Sequence, residues 1–254
     1  MKGVRLKKRS KSQEFEYQCL TSKDRATNKI LFLPVGSIES HGSSLPLGTD
    51  LLITQAFAHV FACKVKGLIL PAIPYGFCPN TAAFKGTISP GAESLFNYLK
   101  EVCLSLKDSK VIILNMHKGN DAVIKMAVDD LFHRYKKSVY YINPYTFLGV
   151  DIDHEIFTGK DNSYKEACLL QASLKILHNK IFSSYISSED EIVRKLPNLE
   201  MLRHEGMLGF SYPTEKYHIA GRKNADINKG MKYFKMAEEK IEKLVKAWRN
   251  LSKR

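Results

Sequence analysis

The sequence predicts an α/β domain built around a mainly parallel β-sheet. Short apolar runs rich in β-branched residues alternate along the chain with longer segments of helical periodicity, a pattern typical of successive β-α-β units. The 254 residues are enough to bury one sizeable hydrophobic core. The chain contains neither an internal repeat nor a low-complexity linker. We therefore expect residues 1–254 to form a single domain, with residues 1–12 as a basic, frayed terminus.

Four short apolar segments are predicted to be strands, because each is bounded by turn-forming or polar residues. They are residues 30–36, 67–73, 110–115 and 138–143.

Helical periodicity predicts helices between these strands and after them. The segments are 50–65, 91–107, 120–136, 164–178 and about 225–250. Asp50 stands at the start of the first helix, where a carboxylate suits the positive end of the helix dipole. The last helix ends in alternating lysine and glutamate residues suited to a solvent-facing surface. Residues 182–222 show no clear pattern.

The apolar faces of two of these helices can be listed from the spacing alone. The first helix carries Leu51, Ile53, Ala56, Phe57, Val60 and Phe61 on one side, and the third carries Val123, Met126, Ala127 and Leu131.

Charge and cysteine content narrow the class of protein. The net charge is +13, but the basic residues are spread along the chain without a nucleic-acid-binding motif, so nucleic acid is not expected as a partner. No segment approaches the roughly 18 to 20 apolar residues of a membrane span. The five cysteines are scattered and lack CxxC spacing, which predicts free thiols in a reducing cytoplasm.

Polar motifs follow three of the predicted strands. Glu39 and His41 come after the first strand, the loop GFCPNTAAFKGTIS comes after the second, and NMHKGN comes after the third. In open α/β sheets, ligands bind beyond the carboxyl ends of the strands, and all of these motifs lie there.

The residue types in these motifs suit a divalent metal ion. Glu39 and His41 project to the same side of an extended segment, Asp50 can reach them from the following helix, and His117 arrives from the third strand. Two carboxylates and two imidazoles suit Zn²⁺, Mn²⁺ or Fe²⁺. The alternative is that the acids cap a helix or are solvated, and that both histidines are satisfied polar groups.

Several motifs resemble the creatininase (creatinine amidohydrolase) family. LPVGSIESHGSSLPLGTD (33–50) is similar to the family signature, and four further motifs follow in the family's order. These are PYGF (74–77), FKGTIS (84–89), VIILNMHKGN (111–120) and AGRKNADINKG (220–230). The resemblance extends over about residues 28–235, and the chain is identified as a member of the family.

The resemblance implies a three-layer α/β/α fold, a homo-oligomer, for which the family suggests a hexamer, and one or two divalent ions per subunit. It also implies hydrolysis of a non-peptide amide or formamide C–N bond in a small molecule. Glu39, His41, Asp50 and His117 match the family's metal ligands, with Asp50 in the place of the bridging carboxylate. A bound ion would offset the cost of burying these charges.

Other positions depart from the family pattern. Gly119 stands where creatininases proper carry a glutamate ligand of the second metal. Glu166, in DNSYKEAC (161–168), is a candidate substitute ligand or catalytic residue, or else an exposed acid in the first turn of a helix. Asp161 stands in place of the family's histidine. His154 is a second catalytic candidate or a surface histidine. A degenerate relative that binds metal or ligand without turnover is the alternative function.

Three further differences concern the substrate. Thr81 replaces a common histidine, and Lys118 occupies a position usually filled by glycine or tyrosine, where it is either a binding group for an anionic substrate or a solvated lysine. The chain also lacks the tryptophan that covers creatinine, since its one tryptophan is Trp248. Creatinine is therefore not the expected substrate.

Overall fold

The structure, a computed structural model, describes residues 15–20, 29–42, 45–106, 109–148, 162–179 and 225–251. Within these ranges, four parallel strands form one sheet in the order β2-β1-β3-β4. The strands are β1 (Ile30–Val35), β2 (Leu68–Ile69), β3 (Lys110–Asn115) and β4 (Val139–Ile142).

Six α-helices accompany the sheet in the described part of the chain. They are α1 (Thr49–Val65), α2 (Ala92–Ser105), α3 (Asp121–Tyr135), α4 (Pro144–Leu148), α5 (Asn162–Ile176) and α6 (Ile227–Leu251). Single turns of 3₁₀-helix cover Tyr17–Cys19 and Lys118–Asn120.

The sheet is buried on both faces, which makes three layers. Ile30 and Phe32 point to the core shared with α1, α5 and α6, while Leu31 and Leu33 point to the core shared with α2 and α3. Alternate residues of a strand face opposite sides, so a strand covered on both sides has to be apolar throughout. The predicted three-layer α/β/α fold is confirmed.

The register of the two central strands determines where the loops after them begin. β1 and β3 pair over their whole lengths, from Ile30 opposite Lys110 to Val35 opposite Asn115. Both strands therefore end at the same level, and the loops that follow them leave the sheet side by side.

The predicted strands and helices are present, with small differences at their ends. The second strand is shorter than predicted because its ladder loses register after Leu70: Leu70 donates to the Phe32 carbonyl, but the next bond to β1, to the Pro34 carbonyl, comes from Ile73, one residue later than in a regular ladder. Helix α4 was not predicted. Its start has a recognisable signal, since Pro144 occupies the first turn and Asn143 accepts a hydrogen bond from the Tyr145 N–H.

Two of the predicted helix faces need correction. Met126 is 63% exposed, so its place on the buried face of α3 was wrong. Helix α1 is buried on more than one side, because it lies between the sheet and the pair α5–α6; Ala58 and Ala62 are fully buried in addition to the predicted residues. The Phe57 ring lies 4.3 Å from the Phe234 ring of α6, centroid to centroid.

The described residues contain neither a disulfide bond nor a helix that could span a membrane. None of the five cysteines, all of which lie in the described ranges, forms a disulfide bond. In the same ranges, every helix is too short or too polar to cross a membrane.

Helices α5 and α6 approach so closely that one position tolerates no side chain. A Cβ atom at Gly230 would lie 2.2 Å from the Cys168 carbonyl oxygen and 2.7 Å from the Ala172 Cβ. Backbone cannot yield as a flexible side chain can, so the glycine of the AGRKNADINKG motif is a packing requirement.

We expect Gly230→Ala to lower the free energy of unfolding by about 1–3 kcal/mol, because overpacking outweighs the better helix propensity of alanine. Denaturant unfolding measures the change. Gly91→Ala is the matched control, since the nearest atom to its Cβ would be the Ser94 Oγ at 4.0 Å, and its change should stay below about 1 kcal/mol. Equal stability of Gly230→Ala and the unchanged protein would contradict this account.

Candidate metal centre

Four buried polar side chains meet beyond the carboxyl ends of β1 and β3. Glu39 and His41 lie in the loop after β1, Asp50 lies in the first turn of α1, and His117 follows β3. Their exposed fractions are 8%, 6%, 5% and 5%, respectively. Charged groups this deeply buried need partners, and each of the four finds them in the others.

Asp50 lies between the two histidines. Its Oδ1 is 3.4 Å from the His41 Nε2, and its Oδ2 is 2.9 Å from the His117 Nδ1. The same His117 nitrogen is 2.7 Å from the Glu39 Oε1. One carboxylate therefore faces both imidazoles, which is the arrangement expected of a bridging ligand.

The second nitrogen of each imidazole faces a backbone carbonyl. His41 Nδ1 lies 3.1 Å from the Glu39 carbonyl oxygen, and His117 Nε2 lies 2.9 Å from that of Phe77. A carbonyl oxygen only accepts, so both of these nitrogens carry the hydrogen. The other nitrogen of each ring is then aimed at the carboxylates, as in metal-binding histidines.

The two carboxylates are held by hydroxyl groups. Ser37 donates to the Asp50 Oδ2 over 2.9 Å, and Thr81 donates to the Glu39 Oε2 over 2.5 Å. Thr81, identified in the sequence as a replacement for histidine, is thus a buried partner of a candidate ligand.

Asn120 ties together the loops after β1, β2 and β3. Its Nδ2 donates to the Gly36 carbonyl over 3.0 Å, and its Oδ1 accepts from the Phe77 N–H over 2.8 Å. Gly76 allows this approach, because a Cβ there would lie 2.4 Å from the Gly36 oxygen and 2.7 Å from the Asn120 Oδ1.

A second network of polar side chains holds the loop that carries His117. The Asn115 Nδ2 donates to the His117 carbonyl over 2.7 Å and to the Asp121 Oδ1 over 2.9 Å. The Tyr141 hydroxyl also donates to Asp121. Residues from β3, α3 and β4 therefore fix the backbone on either side of His117.

The charges in the cluster strongly shift the pKa values of His41, Asp50 and His117. Burial opposes the imidazolium form of His41, but the charge and hydrogen bond of Asp50, with Glu166 and Glu39, outweigh it and raise its pKa to about 10. Burial likewise opposes a charge on His117, yet hydrogen bonds to Asp50, Cys78 and Glu39 raise its pKa well above the usual value. Burial alone would raise the pKa of Asp50, but the two histidines hold it well below its usual range.

This donor set fits a divalent ion. Without one, the two carboxylates need two protons on the imidazoles for charge balance, and a single divalent cation supplies the same positive charge. The Glu39, His41 and Asp50 ligand atoms all lie within 4.8 Å of one another, and so do those of Glu39, Cys78 and His117. Residues that the sequence groups as ligands are therefore brought together by the fold.

The remaining predicted residues are placed differently. Glu166, on α5, is partly exposed and faces the cluster: burial, opposed by His41 and reinforced by Asp50 and Glu39, raises its pKa to about 7. Lys118 is exposed in the turn directly after His117. His154 and Asp161 lie outside the described residues.

Cys78 was missed by the sequence analysis, which treated it only as a free thiol. It is fully buried beside Glu39 and His117. The available signal was its position in the loop after β2, at the same sheet edge as the other motifs. Cys78 is not part of a CxxC motif, so the cysteine pattern did not indicate a metal ligand.

A comparison of the sequence with protein families identifies the family of this chain. The family model described as creatininase, creatinine amidohydrolase, matches residues 14–179. The chain belongs to the creatininase family. The predicted family is thus confirmed, and the matched segment contains Glu39, His41, Asp50, His117 and Glu166.

The relatives that the chain matches in sequence are enzymes with several different names. The chain is 35% identical over 112 residues to a mycofactocin precursor peptide peptidase of Mycobacterium ulcerans, which is 40% of this chain and 45% of that protein. It is 25% identical over 108 residues to a creatinine amidohydrolase of Pseudomonas putida, or 39% of this chain and 42% of the relative. The aligned part spans less than half the length of both relatives.

A third relative is named for a formyl group. It is the 2-amino-5-formylamino-6-ribosylaminopyrimidin-4(3H)-one 5'-monophosphate deformylase of Methanococcus maripaludis, 29% identical over 119 residues. The match covers 42% of this chain and 51% of that protein.

Solved creatininase structures share the fold. A mutant creatininase complexed with creatine superimposes with a TM-score of 0.73 at 16% identity, covering 92% of this chain and 98% of that one. A creatinine amidohydrolase homologue from Bacteroides fragilis gives a TM-score of 0.71 at 18% identity, with coverages of 91% and 95%. Other creatininase structures in this group are described as of zinc–zinc type and as containing manganese.

Metal binding to this creatininase-family centre should release protons. The raised pKa values of His41 and His117 leave both rings protonated at pH 7 in the metal-free protein. An ion that takes the carboxylate-facing nitrogens must displace those protons, so affinity should rise with pH until the pKa of about 10 of His41 is passed. We expect about one to two protons released per ion at pH 7.

Calorimetric titration of the metal-free protein with Zn²⁺, in two buffers of different protonation enthalpy, gives the proton count. His41→Ala should lower it, whereas His133→Ala, which removes an exposed histidine of α3, should leave it unchanged. Binding without proton release would show that the imidazoles are not ligands.

Proposed function

We propose that the protein is a divalent-metal-dependent hydrolase that cleaves an amide or formamide C–N bond in a small molecule. The observation that carries the proposal is the buried set of two carboxylates and two imidazoles, each imidazole oriented by a backbone carbonyl toward Asp50. Such a set of side chains is suited to bind a cation. The chain also belongs to a family whose named members include an amidohydrolase and a deformylase.

The chain's residues have distinct proposed tasks at this centre. Glu39, His41, Asp50 and His117 would hold one or two ions of Zn²⁺, Mn²⁺ or Fe²⁺. When bound, such ions lower the pKa of a coordinated water toward neutrality and polarise a carbonyl group. Ser37 and Thr81 keep the carboxylates in one rotamer each, so that the donor atoms are preorganised.

Glu166 is the proposed proton carrier. A carboxyl group with a pKa of about 7 can accept a proton from the attacking water and pass it to the departing nitrogen at neutral pH. A role as an oxygen ligand is the alternative proposal for Glu166, supported by its electrostatic coupling to His41, Asp50 and Glu39. His154 remains a second predicted catalytic residue.

The substrate is proposed to be something other than creatinine. Trp248 contacts Tyr140 at 4.5 Å between ring centroids and lies over the Lys110 ammonium at 5.0 Å. Lys110 is the first residue of β3, and His117 comes two residues after its last, so Trp248 lies near the sheet edge opposite the cluster. Lys118, exposed beside His117, is proposed to attract an anionic group of the substrate.

Two alternatives have specific support. A peptide bond as the scissile bond is favoured by the relatives named mycofactocin precursor peptide peptidase, at 35% and 33% identity. A family member without turnover is favoured by Gly119, because that position offers no side-chain ligand. The proposal also includes a homo-oligomer, for which the family suggests a hexamer, and a cytoplasmic location.

Metal dependence is the first test of the proposed function. We expect purified protein to hold about one to two divalent ions per chain and chelation to abolish hydrolysis. Re-addition of Zn²⁺ or Mn²⁺ should restore it. A panel of formamides, small amides and short peptides separates the substrate classes. Turnover of every active substrate by the metal-free protein would refute the mechanism, and metal binding without any turnover would favour the inactive relative.

Replacement of Glu166 tests its proposed role. Glu166→Gln should lower kcat by roughly 10²- to 10⁴-fold, because the amide cannot transfer the proton. The metal content, measured on the same sample, distinguishes a proton carrier from a ligand: it is unchanged in the first case and reduced in the second. Glu101→Gln, an exposed acid of α2, is the control. An unchanged kcat for Glu166→Gln would exclude Glu166 from the reaction.

A further inference from the structure

We propose that the Cys78 sulfur is a metal ligand, which joins Glu39 and His117 and makes that part of the centre selective for a thiophilic ion, Zn²⁺ over Mn²⁺. The inference rests on the metal centre of the proposed function and adds a donor to it. On binding, the thiol loses its proton to solvent, and the thiolate donates an electron pair to the ion.

Geometry supports this role. The Cys78 Sγ, a Glu39 carboxylate oxygen and a His117 ring nitrogen all lie within 4.8 Å of one another. Around a tetrahedral Zn²⁺, with Zn–S of about 2.3 Å and Zn–N of about 2.0 Å, donor atoms are roughly 3.3–3.7 Å apart. A small contraction of the three side chains therefore suffices to surround an ion.

An ion at this position would have to replace two interactions of the thiol, a hydrogen bond with the His117 ring and a weak one with a backbone carbonyl. Cys78 Sγ donates to the Gly76 carbonyl over 3.4 Å, and sulfur is a poor donor. Its loss costs little compared with a zinc–sulfur bond. The side chain is already fully buried, so it does not have to move from the surface into the centre in order to bind an ion.

The backbone around Cys78 is fixed on the neighbouring candidate ligand. The Cys78 N–H donates to the Ser89 Oγ over 2.9 Å, and the preceding carbonyl, that of Phe77, accepts from the His117 Nε2 over 2.9 Å. The segment that carries the sulfur thus also sets the orientation of the His117 ring. Two donors to the same ion are thereby positioned by one stretch of chain.

Gly119 is what allows this stretch to come so close. A Cβ atom at residue 119 would lie 2.3 Å from the Phe77 carbonyl oxygen and 2.4 Å from the His117 Nε2. Any side chain there would push the Phe77–Cys78 segment away from the imidazole. Gly119 thus provides no oxygen ligand of its own, but its lack of a side chain allows the Cys78 sulfur to lie close to His117.

A buried cysteine is often only a small apolar side chain. Cys103 and Cys168 fit that description, because each belongs to one of the two hydrophobic cores. Among the described residues, Cys78 is in neither core and borders a carboxylate and an imidazole instead. Its surroundings are those of a ligand, and thiolate donors favour Zn²⁺ over the harder Mn²⁺.

Cobalt substitution tests the proposal without relying on activity. The exposed Cys63, whose Sγ lies 3.7 Å from the His59 Nε2, is first changed to serine so that this surface pair cannot bind cobalt. Addition of Co²⁺ to the metal-free protein should then produce visible ligand-field bands together with a near-ultraviolet sulfur-to-cobalt charge-transfer band. Cys78→Ser should lose the charge-transfer band and keep the ligand-field bands, and Cys103→Ser should keep both.

The outcomes separate this proposal from the proposed function. Ligand-field bands without a charge-transfer band in the Cys63→Ser protein overturn the role of Cys78 and leave the metal centre intact. Failure to bind Co²⁺ at all overturns both. Should Cys78→Ser not fold, X-ray absorption of the zinc-loaded parent decides: sulfur at about 2.3 Å supports the proposal, and a shell of nitrogen and oxygen alone overturns it.

Discussion

The position of Asp50 between two imidazoles is the interaction on which the rest of the site depends. One of its oxygens faces His41 and the other faces His117, in a place where all three residues are at most 6% exposed. Bringing a carboxylate into such a place is costly unless positive charge compensates it. Protons on the two imidazoles supply that charge in the metal-free protein, and under the proposed function a cation held by the same side chains would replace them.

The fold provides this arrangement through register. Because β1 and β3 pair residue by residue to their ends, the loop with Glu39 and His41 and the loop with His117 begin at one level. Asn120 then joins these loops to the one after β2. Donor atoms on separate loops are therefore held by a common framework, and little conformational freedom remains to be lost when a ligand binds.

The sequence predicts the framework well and the details less well. Strands and helices follow from apolar periodicity, which is strong because both faces of the sheet are buried, and the residues after β1 and β3 follow from the rule for parallel sheets. Met126 was misplaced because periodicity does not reveal where a helix face ends against its neighbour. Cys78 and the hydroxyl of Thr81 were missed as partners of the cluster, since their loop comes close only through Gly76 and Gly119. Such contacts arise from tertiary packing and leave no periodic signal.

The two sides of the centre differ in what holds them. Glu39, Cys78 and His117 are on loops joined to the sheet, whereas Glu166 is on α5, which reaches the sheet through α1 and α6. Its placement depends on the close approach at Gly230 and on the packing of α1 against α6 at Phe57 and Phe234. A change in the packing of these helices would shift the proposed proton carrier and leave most candidate ligands in place. Under the proposed function, metal binding and turnover would therefore be separable, because a change in helix packing would affect the proton carrier before most of the ligands.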